Sequence, residues 1–243
     1  MERLINKIYV ISGASSGIGK NCVDLLLDKG MIVVGLDIHE SPTQNNNYVH
    51  FIVDIADENS LLPVIREIEK RYSKIDGLVN CAGTFASAKP FYEITSEEWG
   101  KVVSTNLTGT FLLSKYISLI MIKNTSGKIV NISCIRSKIV RPNMADYAAS
   151  KGGIITLTSA MALDLSNYNI QVNSIAPGFT YTGMTSTSFD NPKIRQTSES
   201  LIPNGRLAMP EDISKVVMFL LSDSSDYING ETIFVDGGYS ISK

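Results

Sequence analysis

Short apolar runs rich in Val and Ile alternate along the chain with longer segments in which apolar residues recur at helical spacing. The short runs predict strands at 7–13, 31–37, 49–55, 75–83, 127–133, 170–178 and 231–238. The longer segments predict helices at 17–30, 60–72, 111–122, 147–165 and 210–222. This repeated strand–helix order predicts an α/β fold, in which helices cover both faces of a doubly wound parallel sheet of about seven strands.

Two polar segments interrupt this order. Residues 38–47 are rich in Asn and have no apolar stripe, so we predict a loop there rather than a helix. Residues 179–209 are polar and irregular, and a segment of this length is expected to be either a lid over a functional site or locally disordered. No linker or internal repeat divides the chain, and we expect one domain over residues 1–243.

Composition narrows the class of protein. Hydrophobic residues make up 44% of the chain and charged residues 19%, values typical of a soluble globular protein. A net charge of −2 argues against a nucleic-acid partner bound through bulk electrostatics. No apolar run is long enough for a membrane span, and the apolar stretch near the N-terminus is too short for a signal peptide.

The cysteines and histidines indicate the cellular compartment and the absence of a metal site. Cys22, Cys81 and Cys134 lie far apart and are odd in number, which fits a reducing cytoplasm better than a disulfide framework. His39 and His50 form no metal-ligand spacing with any cysteine. We therefore expect a cytoplasmic protein without a metal.

A glycine-rich segment, "SGASSGIG" at 12–19, lies between the first predicted strand and the first predicted helix. Gly13 permits a tight turn, while Gly17 and Gly19 permit close backbone approach and close packing of the helix on the strand. The N-terminus of the helix then offers N–H groups and a partial positive charge to a pyrophosphate. This position between strand and helix favours a dinucleotide site over a plain turn.

An acid at the end of the second predicted strand indicates which dinucleotide binds. Asp37 lies about twenty residues beyond the glycine-rich turn, where a carboxylate accepts hydrogen bonds from a ribose 2′-OH and repels a 2′-phosphate. No Lys or Arg lies within 12–19 or at Ile38 and His39. NAD(H) is therefore favoured over NADP(H), the alternative being that Asp37 is only a solvated strand end.

Seven motifs follow one another along the chain: "SGASSGIG" (12–19), "VDI" (53–55), "NCAG" (80–83), "STNLTGTF" (104–111), "YAASK" (147–151), "NSIAPG" (173–178) and "VDGG" (235–238). With these motifs in this order, the chain resembles the short-chain dehydrogenase/reductase family over nearly its whole length. The resemblance implies a single-domain, three-layer Rossmann fold. It also implies hydride transfer between a nicotinamide cofactor and an alcohol or carbonyl.

The resemblance further implies which residues bind the cofactor. These are Gly13, Ser15, Ser16, Gly17, Ile18, Gly19, Asp37, Asp54, Ile55, Asn80, Ala82, Gly83, Tyr147, Lys151, Pro177, Gly178, Thr180 and Thr182. Among them, Asp54 and Ile55 would line the adenine pocket, and Asn80 would brace the central sheet. Outside this set, Asn106 would hold a water molecule that connects to Lys151.

Tyr147 and Lys151 are spaced so that they share one helix face. The resemblance implies that Tyr147 is the acid/base and that Lys151 binds the nicotinamide ribose. Hydride transfer develops charge on the substrate oxygen, so a proton must also move. A Lys cation at ~4 Å and an effective dielectric of ~20 contributes on the order of 4 kcal/mol. We expect it to lower the Tyr147 pKa by up to about three units. The alternative is an exposed helical pair.

Cys134 stands thirteen residues before Tyr147, where family members usually have a Ser that donates a hydrogen bond to the substrate oxygen. A thiol is a weak donor. Ser133 is adjacent, but in an extended segment neighbouring side chains point to opposite faces. Three interpretations stay open: Cys134 is a poorer donor in a slow or specialised enzyme, Ser133 or a lid hydroxyl supplies the bond, or the site binds nucleotide without catalysis.

Five basic residues lie in or near the segments expected to border the substrate: Arg136, Lys138, Arg141, Arg195 and Arg206. Together they would favour a carboxylate or phosphate on the substrate. The alternative is a solvated basic loop. Met184 is one of few apolar contacts that the polar lid offers, which fits a small polar substrate.

We therefore expect an NAD(H)-dependent oxidoreductase that interconverts an alcohol and a carbonyl on a small polar substrate. One alternative is a catalytically impaired NAD(H)-binding regulatory protein. Another is a 3-oxoacyl-carrier-protein-type ketoreductase, which Asp37 disfavours because such enzymes usually prefer NADP(H). The helices at 106–122 and 147–165 resemble those through which family members form four-helix interfaces, so a homo-tetramer is expected.

Overall fold

A seven-stranded parallel sheet forms the centre of the computed structural model, which describes residues 7–242. The strands are β1 Ile8–Ser12, β2 Ile32–Asp37, β3 Tyr48–Ile52, β4 Gly77–Asn80, β5 Gly127–Ile132, β6 Ile170–Pro177 and β7 Thr232–Val235. Their spatial order is β3-β2-β1-β4-β5-β6-β7, and every neighbouring pair is parallel. The strand order reverses between β1 and β4, the point at which open parallel sheets bind ligands.

Helices cover both faces of this sheet. They are α1 Gly17–Asp28, α2 Glu58–Arg71, α3 Ser96–Val103, α4 Gly109–Lys123, α5 Ala145–Leu165, α6 Gly183–Phe189, α7 Pro192–Ser200 and α8 Pro210–Leu220. One apolar cluster packs α2, α4 and α5 on one face, with Leu61 and Leu113 among its buried members. A second packs α1 and α8 on the other face through Val23 and Val217. These three layers confirm the predicted Rossmann-type α/β fold.

The sequence pattern located most elements but not all of them. Residues 38–47 contain no helix, as predicted, but the predicted strand at 49–55 ends at Ile52. Helix α3 was not predicted, although Thr95 and Glu98 form a capping box at its start. The predicted single domain also includes residues 1–6 and 243, which lie outside the described residues.

The polar segment at 179–209 contains α6 and α7 rather than only irregular chain. Helix α7 starts with a proline in its first turn, and the Asn191 side chain accepts hydrogen bonds from the N–H groups of Lys193 and Ile194. An Asn cap followed by a proline is typical of a helix N-terminus. The helix was not predicted because the segment contains few apolar residues. The role of the segment as a lid stays a prediction.

Buried amides tie the sheet to two helices near the carboxyl ends of the strands. Asn80 donates from Nδ2 to Ser114 Oγ at 2.8 Å and to Asn131 Oδ1 at 2.7 Å. Asn131 donates in turn to Thr158 Oγ1 at 2.9 Å. The network therefore joins β4 and β5 to α4 and α5 directly below the ligand-binding edge, which agrees with the bracing role expected for Asn80.

Within residues 7–242, none of the helices has the length and apolarity needed to cross a membrane.

Candidate active site

A cleft of about 660 Å³ opens at the carboxyl ends of the central strands, on both sides of the point where the strand order reverses. All of the predicted catalytic and cofactor-binding residues line this cleft except Ser15, Asn80 and Asn106. Ser15 lies in the turn at one end, where its N–H donates to Asp37. Asn80 belongs to the buried network below. The fold therefore gathers residues that are far apart in the sequence around one cavity.

The turn between β1 and α1 is shaped for close contact with a ligand. Gly13 has a φ of +67° and Gly17 a φ of +55°, both in the left-handed region. A Cβ on Gly19 would lie 2.1 Å from the Gly13 carbonyl oxygen, and a Cβ on Gly13 would lie 2.8 Å from the Ala82 nitrogen. No side chain caps α1 at Ser16, so its first N–H groups can bind an anion. This turn fits a dinucleotide pyrophosphate.

Asp37 is held in place at the end of β2. Its Oδ2 accepts a hydrogen bond from the Ser15 N–H and its Oδ1 accepts one from the His39 N–H, both at 3.0 Å. Each carboxylate oxygen retains a further lone pair for a ribose hydroxyl. Because the carboxylate is oriented and lines the cleft, the geometry favours a binding role over a solvated strand end.

Tyr147 and Lys151 lie on α5, and their side chains are buried, with 8% and 5% exposed. The Lys151 Nζ donates to the Ile132 carbonyl oxygen at 2.8 Å and lies 5.9 Å from the centroid of the Tyr147 ring. This geometry excludes the alternative of an exposed helical pair. Burial lowers the pKa of Lys151 from its ordinary value, because the charged form loses hydration.

The expected lowering of the Tyr147 pKa is wrong. Burial raises this pKa well above its ordinary value, and the neighbouring Cys134 thiol raises it further, while the charge of Arg136 opposes the rise. Desolvation of the phenolate, which spacing along the sequence does not reveal, is the largest cause of this rise. At neutral pH, Tyr147 is therefore a neutral phenol that can donate a proton.

Cys134 occupies the position beside the Tyr147 hydroxyl, and Ser133 does not. The backbone stays extended here, since the Ser133 N–H donates to the Ile175 carbonyl at 2.8 Å and Cys134 has φ −162° and ψ 152°. The Ser133 hydroxyl is buried and donates to the Lys151 carbonyl oxygen at 2.8 Å. Its proton is thus already bonded within the protein. This argues against Ser133 as the substitute donor, although Ser133 lines the cleft.

Asn106 lies in a π-helical turn, Ser104–Thr108, that joins α3 to α4. Its Oδ1 accepts from the Thr84 N–H at 2.7 Å, and its Nδ2 donates to the Thr84 carbonyl and to Ser150 Oγ. These bonds hold the segment after β4 against α5. The contact with α5 is at Ser150, one residue before Lys151. Single-turn π-helical insertions are frequent at functional sites. The water molecule expected at Asn106 stays a prediction.

Asp146 is a site residue that the sequence analysis did not identify. It is fully buried immediately before Tyr147, and its Oδ1 accepts from the Tyr147 N–H at 2.7 Å. Its Oδ2 accepts from both the N–H and the hydroxyl of Ser87, at 2.9 and 2.6 Å. Asp146 therefore fixes the first turn of α5, which carries the tyrosine. Its position before Tyr147 in the sequence gave no sign of burial.

The five basic residues named from the sequence have three different surroundings. Arg136 and Arg141 line the cleft, as does Met184 of the lid segment. Arg195 pairs with Glu199 and Arg206 with Asp212. The remaining one, Lys138, does not line the cleft; its Nζ lies over the Phe234 ring, 5.1 Å from the centroid.

Comparisons with known proteins find similarity to reductases and dehydrogenases over nearly the whole chain. A family model described as enoyl-(acyl carrier protein) reductase matches residues 13–240. The 3-oxoacyl-(acyl-carrier-protein) reductase of Thermotoga maritima is 35% identical over 98% of this chain and 100% of that protein. The NAD-dependent glycerol dehydrogenase of Listeria innocua is 35% identical over 98% of this chain and 95% of that protein. The solved structure of 4-hydroxyisoleucine dehydrogenase complexed with NADH has a TM-score of 0.93 and 30% identity, covering 98% of this chain and 100% of that one.

The substitution Asp146→Asn should lower the free energy of unfolding by about 1–3 kcal/mol. Either orientation of the amide places its NH₂ against a donor, the Tyr147 N–H or the Ser87 N–H, where the carboxylate accepts from both. Urea denaturation of the wild type and the variant measures the difference. Asp164→Asn, an exposed position on the same helix, is the matched control and should change stability by less than about 0.5 kcal/mol. Equal losses in both variants would contradict the proposed role of Asp146.

Proposed function

Because the chain belongs to the short-chain dehydrogenase/reductase family, we propose that it interconverts an alcohol and a carbonyl on a small polar substrate, with NAD(H) as the cofactor and Tyr147 as the acid/base. The observation that carries the proposal is the placement of Tyr147, Lys151 and Cys134 around the same cleft as the glycine-rich turn. A cleft that holds a dinucleotide and a proton donor side by side suits hydride transfer coupled to proton transfer.

The proposed roles of the side chains follow from their surroundings. When bound, a nicotinamide ring supplies or accepts the hydride. The Tyr147 hydroxyl donates a proton from Oη to the oxygen of a carbonyl substrate; in the oxidation direction, the Tyr147 phenolate accepts the proton of the alcohol at the same atom. The Lys151 Nζ, held by the Ile132 carbonyl, is positioned to bind the nicotinamide ribose. The Cys134 thiol, next to Tyr147, is the weaker hydrogen-bond donor that orients the substrate oxygen.

The assignment of NAD(H) rests on Asp37. Its fixed carboxylate favours a free ribose 2′-OH and repels a 2′-phosphate. Asp37 and Asp54 are the acidic residues among the described residues that line the cleft. The Lys and Arg residues that line it, Arg136, Arg141 and Lys151, come from other segments, so none of them lies in the segments of Asp37 and Asp54. A relative named as NAD-dependent and a similar structure solved with NADH add support.

Two other functions compete with this proposal. Similarity to a 3-oxoacyl-(acyl-carrier-protein) reductase favours a ketoreductase of that type, whereas the carboxylate of Asp37 opposes an NADP(H) cofactor. A nucleotide-binding regulator without turnover would explain Cys134, but it would not explain why Tyr147 and Lys151 are kept together in the cleft. We also infer a reducing, cytoplasmic location from the three free cysteines, and a homo-tetramer from the resemblance to its family.

The substitution Tyr147→Phe should lower the turnover number at least about 100-fold, because it removes the proton donor. NADH binding should change little, because the ring and its packing against Phe85 are retained. Turnover of NADH or NAD⁺ over a panel of small hydroxy acids, sugars and ketones measures the effect, and fluorescence titration measures NADH binding. Tyr168→Phe, at a partly exposed position just beyond α5, is the control.

The substitution Cys134→Ser belongs in the same experiment. A hydroxyl donates more strongly than a thiol, so this variant should be faster than the wild type, by several-fold or more. Tight NADH binding without turnover on any substrate in the wild type would instead favour the regulatory function.

The substitution Asp37→Ala should weaken NAD⁺ binding about 10–100-fold, because the hydrogen bonds from the ribose to a charged acceptor are lost. Binding of NADP⁺ should improve relative to NAD⁺, since the repulsion of the 2′-phosphate disappears. Equilibrium titration with NAD⁺ and with NADP⁺ measures the ratio of affinities. Asp28→Ala, which removes the same charge from the exposed end of α1, should leave that ratio unchanged. A wild type that prefers NADPH would refute the assignment of NAD(H).

A further inference from the structure

Two arginines border the part of the cleft next to Tyr147, and one of them is almost completely buried. Arg136 is 5% exposed and lines the cleft. Its guanidinium lies over the rings of Phe179 and Tyr239, at 5.2 and 6.0 Å from their centroids, and its Nη1 donates to the Ile139 carbonyl at 3.1 Å. Within residues 7–242 no carboxylate forms an ion pair with it. It also hydrogen-bonds to the Tyr239 hydroxyl, and the donors not used by Ile139 and Tyr239 are available to a ligand.

Arg141 reaches the same place from the other side of the loop. Its guanidinium lies 5.0 Å from the Phe179 centroid, and its Nη2 donates to the Tyr239 hydroxyl at 3.1 Å. It also lines the cleft, and no carboxylate in the described part of the chain pairs with it. The two guanidinium groups thus share the Phe179 ring as a platform, which holds both at the cleft wall.

The charges along the cleft are separated by sign. The acids that line it lie at one end: Asp37 is the last residue of β2, and Asp54 follows β3. The Lys and Arg residues that line it are Lys151 and Arg136, which act on Tyr147, and Arg141, which shares the Phe179 ring with Arg136. A buried charge without a counter-ion is costly, and an anionic ligand would offset that cost.

The other basic residues near this end do not compete for such a ligand. Arg195 is paired with Glu199 at 3.0 Å, and Arg206 donates to both oxygens of Asp212 at 2.7 and 2.8 Å. The carboxylates of Glu199 and Asp212 offset these two charges, and neither arginine lines the cleft. The available positive charge is therefore concentrated in the loop that carries Arg136 and Arg141.

We propose that the substrate is a small hydroxy acid or oxo acid whose carboxylate is bound by Arg136 and Arg141 while its hydroxyl or carbonyl oxygen faces Tyr147. This deepens, and rests on, the proposed oxidoreductase function. A planar guanidinium donates two parallel hydrogen bonds to a carboxylate, so these residues also set the orientation of the reacting carbon. Both arginines line the same cleft as Tyr147, so a ligand held by them lies in the cavity that the Tyr147 side chain borders.

The test compares acids with their neutral counterparts. Lactate, glycerate and 3-hydroxybutyrate are each assayed beside the corresponding primary amide, with NAD⁺, in the wild type, Arg136→Gln, Arg136→Lys and Arg141→Gln. We expect kcat/KM in the wild type to be at least about 100-fold higher for an acid than for its amide, and Arg136→Gln to lose at least about 10-fold more on the acid than on the amide. Arg136→Lys should recover part of the loss. Arg66→Gln, an exposed position on α2, is the matched control.

A binding measurement separates this inference from the proposed function. The shift in melting temperature caused by 3-hydroxybutyrate is recorded at saturating NADH for the same variants. A shift in the wild type that is absent in Arg136→Gln, without turnover of any compound, would support the carboxylate subsite and refute the proposed function. Amides turned over as well as acids would support the function and overturn the subsite. The carboxylate subsite would also be overturned if the enzyme preferred glycerol phosphate to the acids. The same holds if no acid is either bound or turned over.

Discussion

The burial of the Lys151 ammonium is the constraint on which the arrangement of the site depends. A charge removed from water needs hydrogen-bond acceptors, and the Ile132 carbonyl at the end of β5 provides one at 2.8 Å. The adjacent Ser133 hydroxyl donates back to the Lys151 carbonyl, also at 2.8 Å. These two bonds run in opposite directions between β5 and α5, so the helix cannot shift along the strand without breaking both. They fix Tyr147 one turn earlier in the helix and leave Cys134, rather than Ser133, beside it.

The same arrangement explains how one cleft serves a cofactor and a substrate of different chemistry. At the end formed after β1 and β2, backbone N–H groups and an oriented carboxylate suit a pyrophosphate and a ribose. At the end formed after β5, cationic side chains surround a neutral phenol. Burial there disfavours both the phenolate of Tyr147 and the ammonium of Lys151. It therefore raises the pKa of Tyr147 and lowers the pKa of Lys151.

Much of this could be predicted from the sequence because the signals are local. Strands, helices and the glycine-rich turn are specified by short-range patterns, and the turn requires the conformations that Gly13 and Gly17 adopt. What could not be predicted depends on burial and partner choice across the fold. The direction of the Tyr147 pKa follows from desolvation, and the burial of Asp146 follows from packing against the segment after β4. Nor does sequence spacing reveal that Arg206 is neutralised by Asp212 while Arg136 is not.

The central claim is that Tyr147 is a neutral acid in a buried site and passes a proton to and from the substrate oxygen. The pH dependence of the turnover number for alcohol oxidation, measured from pH 6 to 9, tests this most directly. Oxidation needs the phenolate, and because burial raises the Tyr147 pKa, the phenolate fraction grows about tenfold with each pH unit. The account predicts an oxidation rate that climbs throughout this range, and that loses this dependence in Tyr147→Phe. A rate independent of pH between 6 and 9 would contradict it, because the base would then already be deprotonated at neutral pH.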